Sequence, residues 1–239
     1  MSGDEPVTDG WAPPVQRLAR PDAPDGATNI NVAGRRVAGP IQGFGKLWRK
    51  TYRVDVGEGA TPAEVVALWR RDFGSFWPEG NHFYGPITGI EPGEVALLSL
   101  TMPGGLELST GVLVLYADDE GFTLMTPEGH QFAGWITFSA FEAPTGTTAQ
   151  TQVLMRSSDP IYEIGLPLFG HRMEDRFWKA TLTALATQLG VAAPEVTADR
   201  ECVDKKRQWR RAGNVRHNAA LRSGMYRVRH PGRRRAVVD

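Results

Sequence analysis

In KLWRKTYRVDV, residues 46–56, Tyr52, Val54 and Val56 alternate with Arg53 and Asp55. A period of two predicts a half-buried β-strand. GEGATPAE then breaks the pattern and starts a new one. Thr61 fits a helix N-cap, Pro62 the first helical position, and Glu64 completes a capping box. Val65, Leu68, Trp69 and Phe73 recur at helical spacing, which predicts a helix over 61–73 that stops near Gly74. Between His82 and Ser158 the period returns to two. HFYGPITGI, EVALLSLTM, LELSTGVLVLYA, GFTLMT, FAGWITFSAFE and TTAQTQVLMRSS predict six strands. Short Pro- and Gly-bearing turns separate most of them, as an antiparallel meander requires. Pro103-Gly104-Gly105 reads either as a turn or as a bend within one longer strand. In GHRMEDRFWKATLTALATQLG the apolar stripe is Met173, Phe177, Trp178, Leu182, Leu185 and Leu189, with Arg172, Asp175, Arg176 and Lys179 on the other faces. That predicts a long helix over 171–189, ended by Gly190 and Pro194. Strand, helix, six strands and a long helix make an α+β architecture, with the last helix covering the apolar face of the sheet.

The flanks differ from this middle. Residues 1–28 are rich in Pro, Asp and Gly without a sustained period, and are expected to be a disordered lead. The folded domain is expected over 29–195, and 196–239 as a basic tail. The formal net charge of the 239-residue chain is zero, but it is split: residues 200–239 carry a net +10 and the preceding body a net −10. Trp209, Val215, Leu221 and Met225 are spaced six, six and four apart, which does not hold one helical face. The tail is therefore expected to separate from the fold, although a short helix within 204–220 is compatible with its composition. Lys205, Lys206, Arg207, Arg210 and Arg211 form its densest cluster and could meet the phosphates of nucleic acid or anionic lipid. A solvated charge run that offsets the acidic body is the simpler reading.

Composition removes several function classes. One cysteine, Cys202, allows neither an intrachain disulfide nor a Cys-rich zinc site. The five histidines show no HxxxH or HExxH spacing, so no metal is expected. GxSxG, Walker A and GxGxxG motifs are missing, and no cofactor is expected. No apolar run is long enough to cross a membrane, and the acidic N-terminus lacks a signal-type apolar segment, so the expected location is the cytoplasm.

The order of elements resembles the helix-grip fold of the START, polyketide cyclase and birch-pollen-allergen (SRPBCC-like) superfamily. Within it, YGPITGI, GVLVLYADD, TPEGHQFAGWITFSAF and HRMEDRFWKATL resemble a bacterial family known as a domain of unknown function. The likeness covers roughly residues 29–191. It implies a curved antiparallel sheet of six or seven strands wrapped around the long C-terminal helix. It also implies a cavity between sheet and helix that takes apolar or amphipathic small molecules. It transfers no catalytic residue.

Candidate chemistry is sparse. Glu128 and His130, two residues apart in TPEGHQF, could act as an acid/base pair at a cavity mouth, or be a solvated turn residue and the first residue of a strand. Trp69, Trp77, Tyr84, Met125, Trp135, Met155, Tyr162, Phe177 and Trp178, with Phe76, suit either a ligand pocket or a plain core. Thr101, Thr137 and Ser139 could add hydroxyls. In WITFSAF, Trp135, Thr137, Ser139 and Phe141 share one face and Ile136, Phe138 and Ala140 the other, and both are partly apolar. Three readings follow: a small-molecule-binding protein, a cyclase- or isomerase-type enzyme using the same cavity, and an adaptor with a nucleic-acid-binding tail.

Overall fold

A computed structural model describes residues 10–19, 23–86 and 88–230. Part of the expected lead (1–9 and 20–22), the end of the tail (231–239) and Ile87 lie outside the described residues.

The first strand, β1 (Leu47–Gly57), leads into helix α1 (Pro62–Asp72). The expected capping box forms: the Glu64 N–H donates to Thr61 Oγ1 at 3.3 Å and the Thr61 N–H to Glu64 Oε2 at 2.8 Å. Six strands follow: β2 (His82–Tyr84), β3 (Val95–Met102), β4 (Leu106–Ala117), β5 (Gly121–Met125), β6 (Phe132–Ala143) and β7 (Gly146–Ser157). β2 stops well short of residue 90, because Gly85-Pro86 removes a donor from the ladder. Residues 103–105 are a tight turn, with Gly104 at φ 79°, between two separate strands. Helix α2 (Pro160–Gly165) continues through a π-helical turn, Leu166–Gly170, into the long helix α3 (His171–Gln188). Pro167, which has no N–H to give, lies in that widened turn.

With β8 (Val196–Asp204), the sheet has eight strands among the described residues, all neighbouring pairs antiparallel, in the order β2-β3-β4-β5-β6-β7-β1-β8. The eighth strand corrects the expectation for the tail. It pairs with β1 from Val54↔Val196 to Leu47↔Asp204, and its exposed, charged residues suit an edge. Buried Arg156 donates to Asp204 Oδ2 (2.5 Å) and to the Lys206 carbonyl (2.9 Å). The 3-10 segment Trp209–His217 and helix α4 (Ala219–Arg229) follow and pack against the body. Asn218 caps α4 and donates to the buried Asp159 carboxylate at 2.8 Å. Asn31 donates to the Ala219 carbonyl and to Ser223 Oγ. The described tail is thus part of the fold, anchored by buried polar side chains where an apolar stripe was sought.

The lead is corrected in the same sense. Trp11 bridges to Tyr116, and Leu18 is buried with Val32, Val95, Leu97 and Leu113 in a second, smaller core. EVALLSL is apolar on both faces, so β3 needs cover on its outer side, and Val15, Leu18, Ala27, Val32 and Val37 supply it. The main core lies on the inner face. There Tyr52, Val54, Phe122, Phe138 and Val153 meet Trp69 of α1 and Leu182 and Leu185 of α3. A curved antiparallel sheet closed over a long helix is the helix-grip arrangement, with one or two strands more than expected.

Candidate functional site

The inner face is not filled along its whole length. Toward the N-terminal half of α3 a cavity of about 1210 Å³ remains. Its floor is the inner face of β3–β7, including Leu98, Val112, Leu124, Ile136 and Met155. Its wall is Met173, Phe177 and Trp178 of α3, with Trp77 packed on Phe177 at 5.0 Å between ring centroids. The α2–π segment and α4 frame the mouth. The lining is overwhelmingly apolar, and the few polar groups stand out.

One is Glu174. It borders the cavity, is buried, and places Oε2 2.7 Å from Lys50 Nζ. Lys50, only 1% exposed, also meets Asp175 Oδ1 at 2.7 Å and donates to the His171 carbonyl at 3.4 Å. Tyr52 donates to Asp175 Oδ1 at 2.6 Å. One buried ammonium thus joins two carboxylates on adjacent positions of α3. Burial raises the pKa of Glu174, with Lys50 acting in the opposite sense. Burial also works to raise Asp175, but the hydrogen bonds from Lys50 and Tyr52 prevail and its pKa is lowered. Burial raises the Tyr52 phenol above its ordinary range. His171 is pushed down to about 4 by burial and by the charges of Lys50 and Arg200.

The second polar group is His130. It is buried at the cavity and pushed down to about 4 by burial, so the imidazole is neutral at pH 7. The Phe132 N–H donates to its Nδ1 at 3.1 Å. Glu128 does not join it. Its carboxylate accepts from the Arg36 N–H at 3.4 Å and lies in the field of Arg35 and His217. Gly129 between them has φ +89°, and a Cβ there would lie 1.9 Å from the His217 carbonyl oxygen. The Gly129 carbonyl accepts from the Ala219 N–H at 2.9 Å. The Glu-Gly-His corner therefore faces three ways: Glu128 to residues 35–37, Gly129 to the start of α4, His130 to the cavity. The expected acid/base pair is not assembled.

The other expected ligand residues divide. Trp77, Met155, Tyr162, Phe177 and Trp178 border the cavity. Trp69 is instead fully buried against Phe122 and Phe138. Tyr84 packs on the second core, with its hydroxyl donating to the Gly26 carbonyl. Ile136, Phe138 and Ala140 point into the main core, which puts Met125, Trp135 and Thr137 on the outer face. There Met125 Cε and the Trp135 ring lie beside Gly39, and Thr137 Oγ1 is 2.9 Å from Thr123 Oγ1. Trp135 also borders the cavity. Thr101 lies at the rim, its hydroxyl donating to the Gly80 carbonyl at 2.8 Å. In the basic cluster, Arg207 is spent on buried Glu163 (2.9 Å), while Lys205, Lys206, Arg210 and Arg211 are exposed.

Two features escaped the sequence reading. Lys50 carried a signal, since it falls on the same face as Tyr52, Val54 and Val56. A charge on an inward position needs a buried partner. The other was α4, whose Leu221, Met225 and Val228 lie four and three apart.

No protein-family model matches the chain, and a search of curated proteins finds no match. Solved structures do align with it. The di-domain ARO/CYC protein StfQ from the steffimycin biosynthetic pathway is 9% identical with a TM-score of 0.48. That alignment covers 61% of this chain and 53% of the other, so it spans about half of that protein. Ara h 8.0201 is 12% identical, with a TM-score of 0.42 over 59% of this chain and 97% of the other. Ms6760 from Mycobacterium smegmatis is 15% identical, with a TM-score of 0.42 over 61% and 91%. These are distant likenesses of fold, and nothing about ligand or activity is drawn from them.

Proposed function

We propose that this protein binds an apolar or amphipathic small molecule in the cavity between the sheet and α3. The observation that carries the reading is the cavity itself: about 1210 Å³ bounded by packed aromatic, Met and aliphatic side chains. That volume exceeds the usual range for a drug-sized ligand site, and burying apolar ligand surface against so apolar a lining is favourable. The apolar part of the ligand would lie on Leu98, Val112, Met155 and Phe177. Native mass spectrometry of the full chain after gentle purification tests the reading. A released mass from an apolar compound is the expected result. A ligand-free spectrum together with no uptake of added long-chain alcohols or fatty acids would contradict it.

An isomerase- or cyclase-type enzyme is the second reading, and Glu174 favours it. A buried carboxyl with a raised pKa at a cavity wall is suited to hold and give a proton. In that reading the acid would be Glu174 and not Glu128, and neutral His130, whose Nδ1 accepts from the Phe132 N–H, would offer Nε2–H as a hydrogen-bond donor to the substrate.

A further inference from the structure

Apolar side chains scattered singly over a surface need no explanation, but a contiguous set does. Ile164, Leu168 and Phe169 of the α2–π segment are 68%, 63% and 50% exposed. Leu106, beside the β3–β4 turn, is also exposed, as are Met225 and Val228 of α4. All six border the same cavity, so three elements distant in sequence bring their exposed apolar residues to one mouth. Charge there has one sign to spare. Arg176 and Arg229 border the cavity, are exposed, and join no ion pair among the described residues. Glu107 at the same rim is engaged by Arg227 and by the Ser99 hydroxyl. Helix α4, AALRSGMYRVR, has no acidic residue.

From this we infer that the cavity mouth is a docking surface for an anionic lipid bilayer. Leu168, Phe169, Met225 and Val228 enter the headgroup region, and Arg176 and Arg229 meet lipid phosphates. Apolar side chains flanked by arginine are what an interfacial segment needs: buried area for attachment, and charge for attraction to anionic lipid. A second copy on this face would oppose arginine to arginine around the two-fold axis. A nucleic acid would meet the charges but leave the apolar rim without a partner. The net −10 of residues 1–199 against the net +10 of residues 200–239 would favour approach with the tail side leading. Among the described residues no helix is long and apolar enough to cross a membrane, so the attachment is peripheral. Docking stands apart from the ligand-binding reading, but where both hold, the mouth opens toward the lipid phase and a ligand can pass between bilayer and cavity without crossing water.

Co-sedimentation of the full chain with phosphatidylcholine vesicles, with and without phosphatidylglycerol, tests this. Binding should require the anionic lipid and weaken as salt rises. Arg176→Gln and Arg229→Gln should each weaken it about fivefold, the effect of one basic group near an anionic surface. Leu168→Asp and Val228→Asp should each reduce it by about tenfold or more. Val228 is 82% exposed, so that variant should melt like the parent chain. Ile41→Asp, at a residue 76% exposed but not among those bordering the cavity, should bind as the parent does. No binding to anionic vesicles at low salt, or equal binding by the rim variants, would overturn the inference. So would a dimer in light scattering that Val228→Asp dissociates without changing vesicle binding, or DNA retention that the rim variants abolish while vesicles are ignored. Leu100 of β3 lines the cavity from the sheet side, so Leu100→Trp, which fills it from inside, separates the two claims: it should lose ligand uptake and keep vesicle binding.

Discussion

Lys50→Met removes the one cation between Glu174 and Asp175. Lys50 is 1% exposed and both contacts are 2.7 Å, so the ammonium is held away from bulk solvent. Truncating one partner of a buried ion pair costs about 3–5 kcal/mol, because it leaves an uncompensated buried charge. For a chain of this size that corresponds to a fall in melting temperature of roughly 6–20 °C. The loss should depend on pH. Without Lys50, Glu174 is held protonated more strongly than in the unfolded chain. Its folded pKa then lies further above the unfolded value, so the penalty is largest at pH 7 and shrinks as pH falls toward 5. Lys50→Met/Glu174→Leu should recover most of the loss, since replacing a whole buried pair by apolar groups is often neutral. Asp175 keeps Tyr52 and partial exposure in that double variant. Urea unfolding at pH 7 and pH 5 of parent, single and double variants reads all of this. A single-variant loss under about 1 kcal/mol, the worth of an exposed pair, would refute the buried-cluster account.

The unmodified protein should itself lose stability on acidification. His130 and His171 are each pushed down to about 4 in the folded state. The unfolded chain therefore binds more protons between about pH 6.5 and pH 4, and stability falls as pH drops through that window, by about 2 kcal/mol per histidine at pH 5. His130→Gln should flatten the slope of urea midpoint against pH. Asn218→Ala removes both the cap of α4 and the partner of Asp159, and should cost about 1–3 kcal/mol while hydrogen exchange of residues 219–229 speeds up. Deleting residues 196–239 should lower the melting temperature sharply, because β8 leaves and buried Arg156 keeps only the Gly45 carbonyl of its three partners; an unchanged melt would show the tail to be separable after all.

The parts legible in the sequence were those whose signal is local. Thr61-Pro62-Glu64 specifies its helix start through three side chains. The Met173–Leu189 stripe specifies α3, and glycine- and proline-marked turns separate β2 to β7. β8 was not legible because VTADRECVD is polar on both sides, as an exposed edge strand can be, and its partner β1 is distant in sequence. α4 is masked in the sequence because Trp209 and Val215, which belong to the preceding 3-10 segment, break the spacing of Leu221 and Met225. Leu221, Met225 and Val228 after an Asn cap form the actual face. At the site, Phe177 and Trp178 were found because a long helix must bury them. Met125, Trp135 and Thr137 were misplaced because both faces of β6 are apolar enough to be buried, and only the cover supplied by residues 37–42 shows which is which. Glu128 and His130 were paired by proximity in sequence, while the positive φ of Gly129 turns them apart.

The central claim is that an apolar guest enters the space bounded by Met155, Leu100 and Phe177. Equilibrium titration of the full chain with the apolar dye N-phenyl-naphthylamine, beside Leu100→Trp, tests it most directly. Saturable binding by the parent, displaced by a long-chain alcohol and lost in a Leu100→Trp protein that melts normally, is the predicted result. Non-saturable uptake by the parent, or equal saturable uptake by both proteins, would place the dye outside the cavity and contradict the account.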